Sequence, residues 1–132
     1  MWQRLPFLLH ALVETPAAFT FVFTPQRQLP NASNEAELLL ASYGGALLTT
    51  VGISAFFLLR TDFDDLSRVV GLILSVYHLF PLRRAVRRIA EGSGTGRSSA
   101  GGSTLGGSWV HLTVHIACFS SLLGLWLVAP AS

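Results

Sequence analysis

At 132 residues, 51% of them hydrophobic and 12% charged, with a mean hydropathy of +0.53, the chain is too apolar for a soluble domain of its size. Lipid is the natural solvent for the excess, and one compact domain is the expected scale. The formal net charge is +2 and all nine basic residues are arginine. Arg83, Arg84, Arg87, Arg88 and Arg97 crowd one stretch without interleaved stacking aromatics, which argues for anionic lipid headgroups and against nucleic acid. The single cysteine, Cys118, excludes an internal disulfide and a four-cysteine zinc site.

Four apolar stretches follow in chain order, each approaching the roughly 20 residues needed to cross a bilayer. The first covers about residues 5–23 and carries Glu14 at its centre. That glutamate, and the lack of a small-residue cleavage site before Gln26, argue against a cleaved signal peptide. Pro25 to Pro30 ends this helix. The second stretch covers 38–59, and Asn34 with Glu37 three residues later resembles its capping box. An acidic turn, Asp62, Asp64 and Asp65, then leads into the third stretch, 66–82, where carboxylates suit the positive end of a helix dipole. Residues 92–107 are Gly/Ser-rich and read as a flexible loop. A phosphate cradle is disfavoured, since no strand precedes them and no Lys-Ser/Thr follows. The fourth stretch covers 108–128.

Backbone groups in lipid must be satisfied within each segment, so helices are expected. Short connections give an all-α, integral membrane four-helix up-down bundle in a single domain, passing the membrane several times. Arg27 and the arginine cluster lie on one side, and Arg4, Arg60 and Arg68 on the other. Positive-inside bias then places the termini in the lumen and leaves the sequon at Asn31 cytosolic and unmodified.

Polar residues inside the apolar segments are the candidate site. His10 and Glu14 share a helix face one turn apart. Tyr43, Thr50 and Ser54 form a stripe on the second helix, Gly71, Ser75 and His78 on the third, and Ser108, His111, His115 and Cys118 on the fourth. Such stripes turn inward, where polar groups find partners. An ionisable group at mid-membrane depth costs several kcal/mol unless paired, which marks Glu14 as functional rather than as a structural acid. His111 and His115, at i and i+4, have the spacing of a helical metal pair, but no second pair or carboxylate at matching spacing appears, so no metal and no cofactor are expected. The arginine run doubles as a topology determinant, with Arg83 and Arg84 near enough to cap a pocket.

Glutamate, tyrosine and histidine in a dry cavity are equipment for proton transfer, each positioned acid or base supplying on the order of 10²–10⁴-fold. Glu14 is the expected base, oriented by His10 or His115. Tyr43 or His78 is the expected acid, with His111 nearby. Arg83, Thr50 and Ser75 are the candidate substrate contacts. The substrate should be a lipophilic small molecule entering from the bilayer. Membrane lipids are the other expected partner, and self-association stays open.

The series Val13-Glu14-Thr15-Pro16, Tyr43-Gly44-Gly45, Tyr77-His78-Leu79-Phe80-Pro81-Leu82-Arg83-Arg84-Ala85 and Gly106-Gly107-Ser108-Trp109-Val110-His111-Leu112-Thr113-Val114-His115 resembles small four-helix membrane proteins of fungal polyketide clusters. These include the epoxide hydrolases that act on aurovertin-, citreoviridin- and asteltoxin-type polyenes. The resemblance implies acid-assisted epoxide opening by water or an internal hydroxyl, in secondary metabolism at the endoplasmic reticulum. Two other classes remain: a non-catalytic scaffold tethering biosynthetic enzymes, and a cofactor-free oxygenase of aromatic polyketides.

Overall fold

The computed structural model describes residues 2–92 and 106–128. The expected flexible loop therefore falls almost wholly outside the described residues, and Arg97 with it. The described residues form five α-helices: α1 (Leu5–Phe23), α2 (Asn34–Leu59), α3 (Asp65–Tyr77), α4 (Leu79–Ala90) and α5 (Gly107–Val128). With α3 and α4 taken as one segment, four helical segments are long and apolar enough to cross a membrane. Among the described residues there is no strand.

Local chemistry sets the helix ends. Pro6 sits in the first turn of α1, where a missing N–H costs nothing. Ser33, rather than Asn34, is the N-cap of α2: its side chain accepts from the Ala36 N–H at 3.3 Å. The helix therefore starts four residues earlier than its apolar stretch, because the cap and Glu35 and Glu37 extend it into polar sequence. Asp64 caps α3 in a full capping box with Ser67, as the acidic turn suggests.

The third segment departs from the sequence reading most. In place of one helix over 66–82, the chain breaks at His78 and continues helically through Ala90. Pro81 explains the break: it has no N–H for the Tyr77 carbonyl, and its ring crowds that carbonyl. The His78 N–H turns instead to the Ser75 carbonyl at 3.0 Å. Of the arginines expected in a loop, Arg83, Arg84, Arg87 and Arg88 thus stand on α4; two residues beyond its end at Ala90, Gly92 has a φ of +76°, the left-handed conformation glycine accepts after a helix.

Packing organises the segments around α1 and α5: α1 lies along α2, and α5 contacts α3, α4 and α1. Phe7, Phe57, Leu74, Leu122 and Leu125 form one buried cluster and Ala18, Phe21 and Leu47 a second. At Gly44 a Cβ would meet Phe21 Cβ at 2.8 Å and the Val22 nitrogen at 3.0 Å, so α1 and α2 touch backbone to backbone there. Small residues at helix contacts are how lipid-embedded helices gain van der Waals energy, since burial of apolar surface yields little there. Meanwhile Leu59 is 81% and Leu127 69% exposed, with Phe23, Phe19, Leu12 and Phe80 exposed too. A girdle of that kind is unfavourable against water.

Candidate functional site

The two cuts in helical regularity, Pro16 in α1 and the His78 break, flank the polar cluster. Pro16 cannot donate to the Leu12 carbonyl, and Thr15 just before it turns its hydroxyl onto the Ala11 carbonyl at 2.6 Å. Within this weakened stretch, Glu14 is only 2% exposed. His10, His78 and His115 are buried beside it.

Their contacts form one line. Tyr43 Oη donates to Tyr77 Oη at 3.3 Å, and Tyr77 Oη donates to Glu14 Oε2 at 3.1 Å. The other carboxyl oxygen, Oε1, lies 3.4 Å from His115 Nδ1 and 3.6 Å from His78 Nδ1, and has no hydrogen-bond partner. The two Nδ1 atoms face one another at 2.8 Å. His78 Nε2 meets His10 Nδ1 at 2.9 Å, and His10 Nε2 meets Thr50 Oγ1 at 3.3 Å.

Tautomers follow from the far end of this line. Thr50 Oγ1 donates to the Leu47 carbonyl at 2.8 Å, so toward His10 it accepts, and His10 Nε2 carries a proton. Three adjacent imidazoles cannot all be cations, because like charges at this range repel. With neutral rings, His10 Nδ1 is bare and accepts from His78 Nε2. His78 Nδ1 is then a lone pair directed at His115 and Glu14.

A cavity of about 590 Å³ adjoins the cluster. Its polar lining is Glu14, Tyr43, Tyr77, Arg84, His111 and His115, and its apolar lining is Ala17, Phe21, Leu40, Phe80 and Pro81. That size suits a small lipophilic molecule, and a few polar groups in an apolar wall are what fixes such a molecule's orientation.

The sequence-derived candidates divide as follows. Glu14, Tyr43, His111 and His115 reach the cavity, with the His111 and His115 rings 4.3 Å apart edge to face. His10 and His78 stand behind them, fully buried. Thr50 anchors His10 rather than facing the cavity. Ser75 is buried and its hydroxyl donates to the Leu72 carbonyl at 2.7 Å. Arg83 is exposed and not part of the lining; its neighbour Arg84 is. Tyr77 is the residue that sequence reasoning missed. It lies one step off the Gly71–Ser75–His78 stripe, and the signal was its position directly before His78 with Pro81 four residues on.

Two sets of atoms have the chemistry to hold a metal. Among the described residues, His10, Glu14 and His78 each present a ligand atom within 4.8 Å of the others. Glu14 Oε1, His78 Nδ1 and His115 Nδ1 make a tighter set at the distances above. Comparison of the chain with known protein families, curated proteins and solved structures finds no match.

Proposed function

We propose that the protein is a multi-pass membrane enzyme of the endoplasmic reticulum that opens an epoxide on a lipophilic polyketide by acid–base chemistry. The observation that carries this reading is the bond from half-buried Tyr77 to buried Glu14 beside an apolar cavity, where Tyr43, His111 and His115 join them. The exposed apolar girdle supports a lipid setting, and the resemblance to fungal polyketide-cluster proteins supplies the substrate class.

Tyr77 holds Glu14 by one oxygen and leaves the other free to take a proton from the attacking hydroxyl. A new C–O bond forms as the epoxide C–O bond breaks. Tyr43 supplies the proton for the epoxide oxygen, and Arg84 replaces Arg83 as the group that holds a polar end of the substrate. Water as nucleophile gives a diol and an internal hydroxyl gives an oxygen heterocycle. No electrons change hands.

Glu14→Gln should cut turnover of an epoxide polyene by 10² or more, on the scale of one positioned base, while far-ultraviolet circular dichroism stays unchanged. Water labelled with ¹⁸O should appear in a diol product. Wild-type turnover by the Gln variant overturns the assignment. A second reading, a scaffold for biosynthetic enzymes, draws support from the exposed Arg83 and Arg87 on α4. It requires co-purifying enzymes and tolerance of Glu14→Ala. Uptake of O₂ during turnover would point instead to a cofactor-free oxygenase.

A further inference from the structure

Three potential ligand atoms, Glu14 Oε1, His78 Nδ1 and His115 Nδ1, converge in the polar cluster. Glu14 Oε2 is already held by Tyr77, while Oε1 is buried and unpartnered. The hydrogen-bond line from Leu47 leaves His78 Nδ1 as a bare lone pair. His115 Nδ1 faces it at 2.8 Å. A single proton held between the two nitrogens leaves the carboxyl oxygen without a short, well-aligned donor, which is unfavourable for a buried acceptor.

We propose that Glu14 Oε1, His78 Nδ1 and His115 Nδ1 hold one divalent first-row transition ion of the zinc class, with an open coordination position toward the cavity. A triangle with sides of 2.8, 3.4 and 3.6 Å has a point about 2 Å from every corner, which is the bond length of zinc to imidazole nitrogen and to carboxylate oxygen. Two nitrogens and one carboxylate suit zinc or ferrous iron and do not suit calcium or magnesium, which prefer all-oxygen shells. Three protein ligands with a free fourth position is the pattern of a reactive rather than a structural zinc site.

The surroundings match what such ligands need. A ligating imidazole is held in place by a bond to its other nitrogen, and a ligating carboxylate by a donor to its other oxygen. His10, tied down by Thr50, accepts from His78 Nε2. Tyr77 donates to Glu14 Oε2. His10 therefore acts as an orienting partner behind His78, which favours the His115-containing set over the one with His10 as ligand. Glu14 and His115 line the cavity, so the open position faces it. One carboxylate neutralises half the ion's charge, and a hydroxide or anionic substrate oxygen in the open position completes the balance. The i, i+4 pair His111–His115 raised a metal only to lack partners in sequence. The ligands come from α1, the α3–α4 break and α5, so no local spacing could reveal them.

The inference goes beyond the acid–base reading, because with an ion seated Glu14 is a ligand and the ion activates the nucleophile. Its test uses no substrate, so its failure and the failure of the epoxide reading are separate results. Detergent-purified full-length protein, loaded with Zn²⁺ and freed of excess, should keep about one ion per chain by elemental analysis. Titration with Co²⁺ should saturate at one equivalent with ligand-field bands in the visible. His115→Ala and Glu14→Gln should each weaken Co²⁺ binding by at least about tenfold, and His10→Ala by about 10–100-fold as an orienting partner. Wild type that retains no more Zn²⁺ than His115→Ala overturns the proposal and leaves a shared proton between the imidazoles. Should the variants misfold, the wild-type Co²⁺ titration decides alone: no saturable one-to-one signal, no site.

Discussion

Tyr77 and Glu14, 63 residues apart, are joined by a 3.1 Å hydrogen bond from the phenol to one carboxyl oxygen. The bond ties the end of α3 to the middle of α1 and decides which carboxyl oxygen stays free. Tyr77→Phe keeps the ring and removes the donor. It should cost about 1–3 kcal/mol of stability, the price of a buried acceptor left unmade. Turnover should fall by more than that stability loss accounts for. Thermal unfolding in detergent beside single-turnover rates checks both.

Thr50→Val tests the line of tautomers. The substitution preserves shape but deletes the hydroxyl that makes His10 Nε2 a donor. His78 Nδ1 is then no longer held as a lone pair. Activity should drop by about 10–100-fold, as for other residues that orient a reactive group. The thermal midpoint should barely move.

Pro81→Ala should heal the break between α3 and α4, because alanine restores an N–H for the Tyr77 carbonyl. Helical content should rise and His78 should rotate out of register with Glu14 and His115. A displacement of that kind costs on the order of 10²-fold in rate. A variant with higher helicity and full activity would show that the break does not position the site.

Gly44 and Gly45 make a matched pair. A Cβ at Gly44 collides with Phe21 and Val22, whereas one at Gly45 meets nothing within 4 Å. Gly44→Ala should destabilise by about 1–3 kcal/mol through overpacking. Gly45→Ala should be neutral or stabilise by up to about 1 kcal/mol through helix propensity. Unfolding of both in the same bicelles gives the comparison.

Asp64 is held below the ordinary carboxylate range, chiefly by the Ser67 backbone N–H, with help from the Ser67 hydroxyl and Arg60. A carboxyl group with a lowered folded value stabilises above its unfolded value near 4 and loses that contribution as pH falls through the folded one. Asp64→Asn keeps a capping oxygen but no charge. It should therefore be less stable than wild type at pH 7, and the gap should close in acid. A gap that persists at pH 2 would refute the charge argument.

Much of the architecture was legible because lipid imposes simple rules. Apolar length marked four segments, Asp64 announced a cap, and the one-turn spacing of His10 and Glu14 placed both on a buried face. The stripes of α3 and α5 brought His78 and His115 to the cluster for the same reason. Tyr77 was not legible, since regular helical geometry turns it away from the stripe and only the Pro81 break gives it and His78 a common neighbour. The choice of Arg84 over Arg83 has the same origin: with α4 helical rather than looped, adjacent arginines differ by about 100° in direction. The carboxyl-to-imidazole distances were beyond reach, because they join three segments distant in sequence.

The run from His78 through His10 to Thr50 ends on the Leu47 carbonyl, a group that can receive a hydrogen bond but never hand a proton on. Seen from the cavity it is a cul-de-sac: charge can be lent to it and taken back, not passed across. On the proposed acid–base reading, a proton taken up by Glu14 would leave toward the cavity side, where Tyr77 leads to Tyr43, the 43%-exposed end of the line. Were such chemistry to run inside a bilayer, this dead end would keep it from short-circuiting the gradient that a membrane exists to keep.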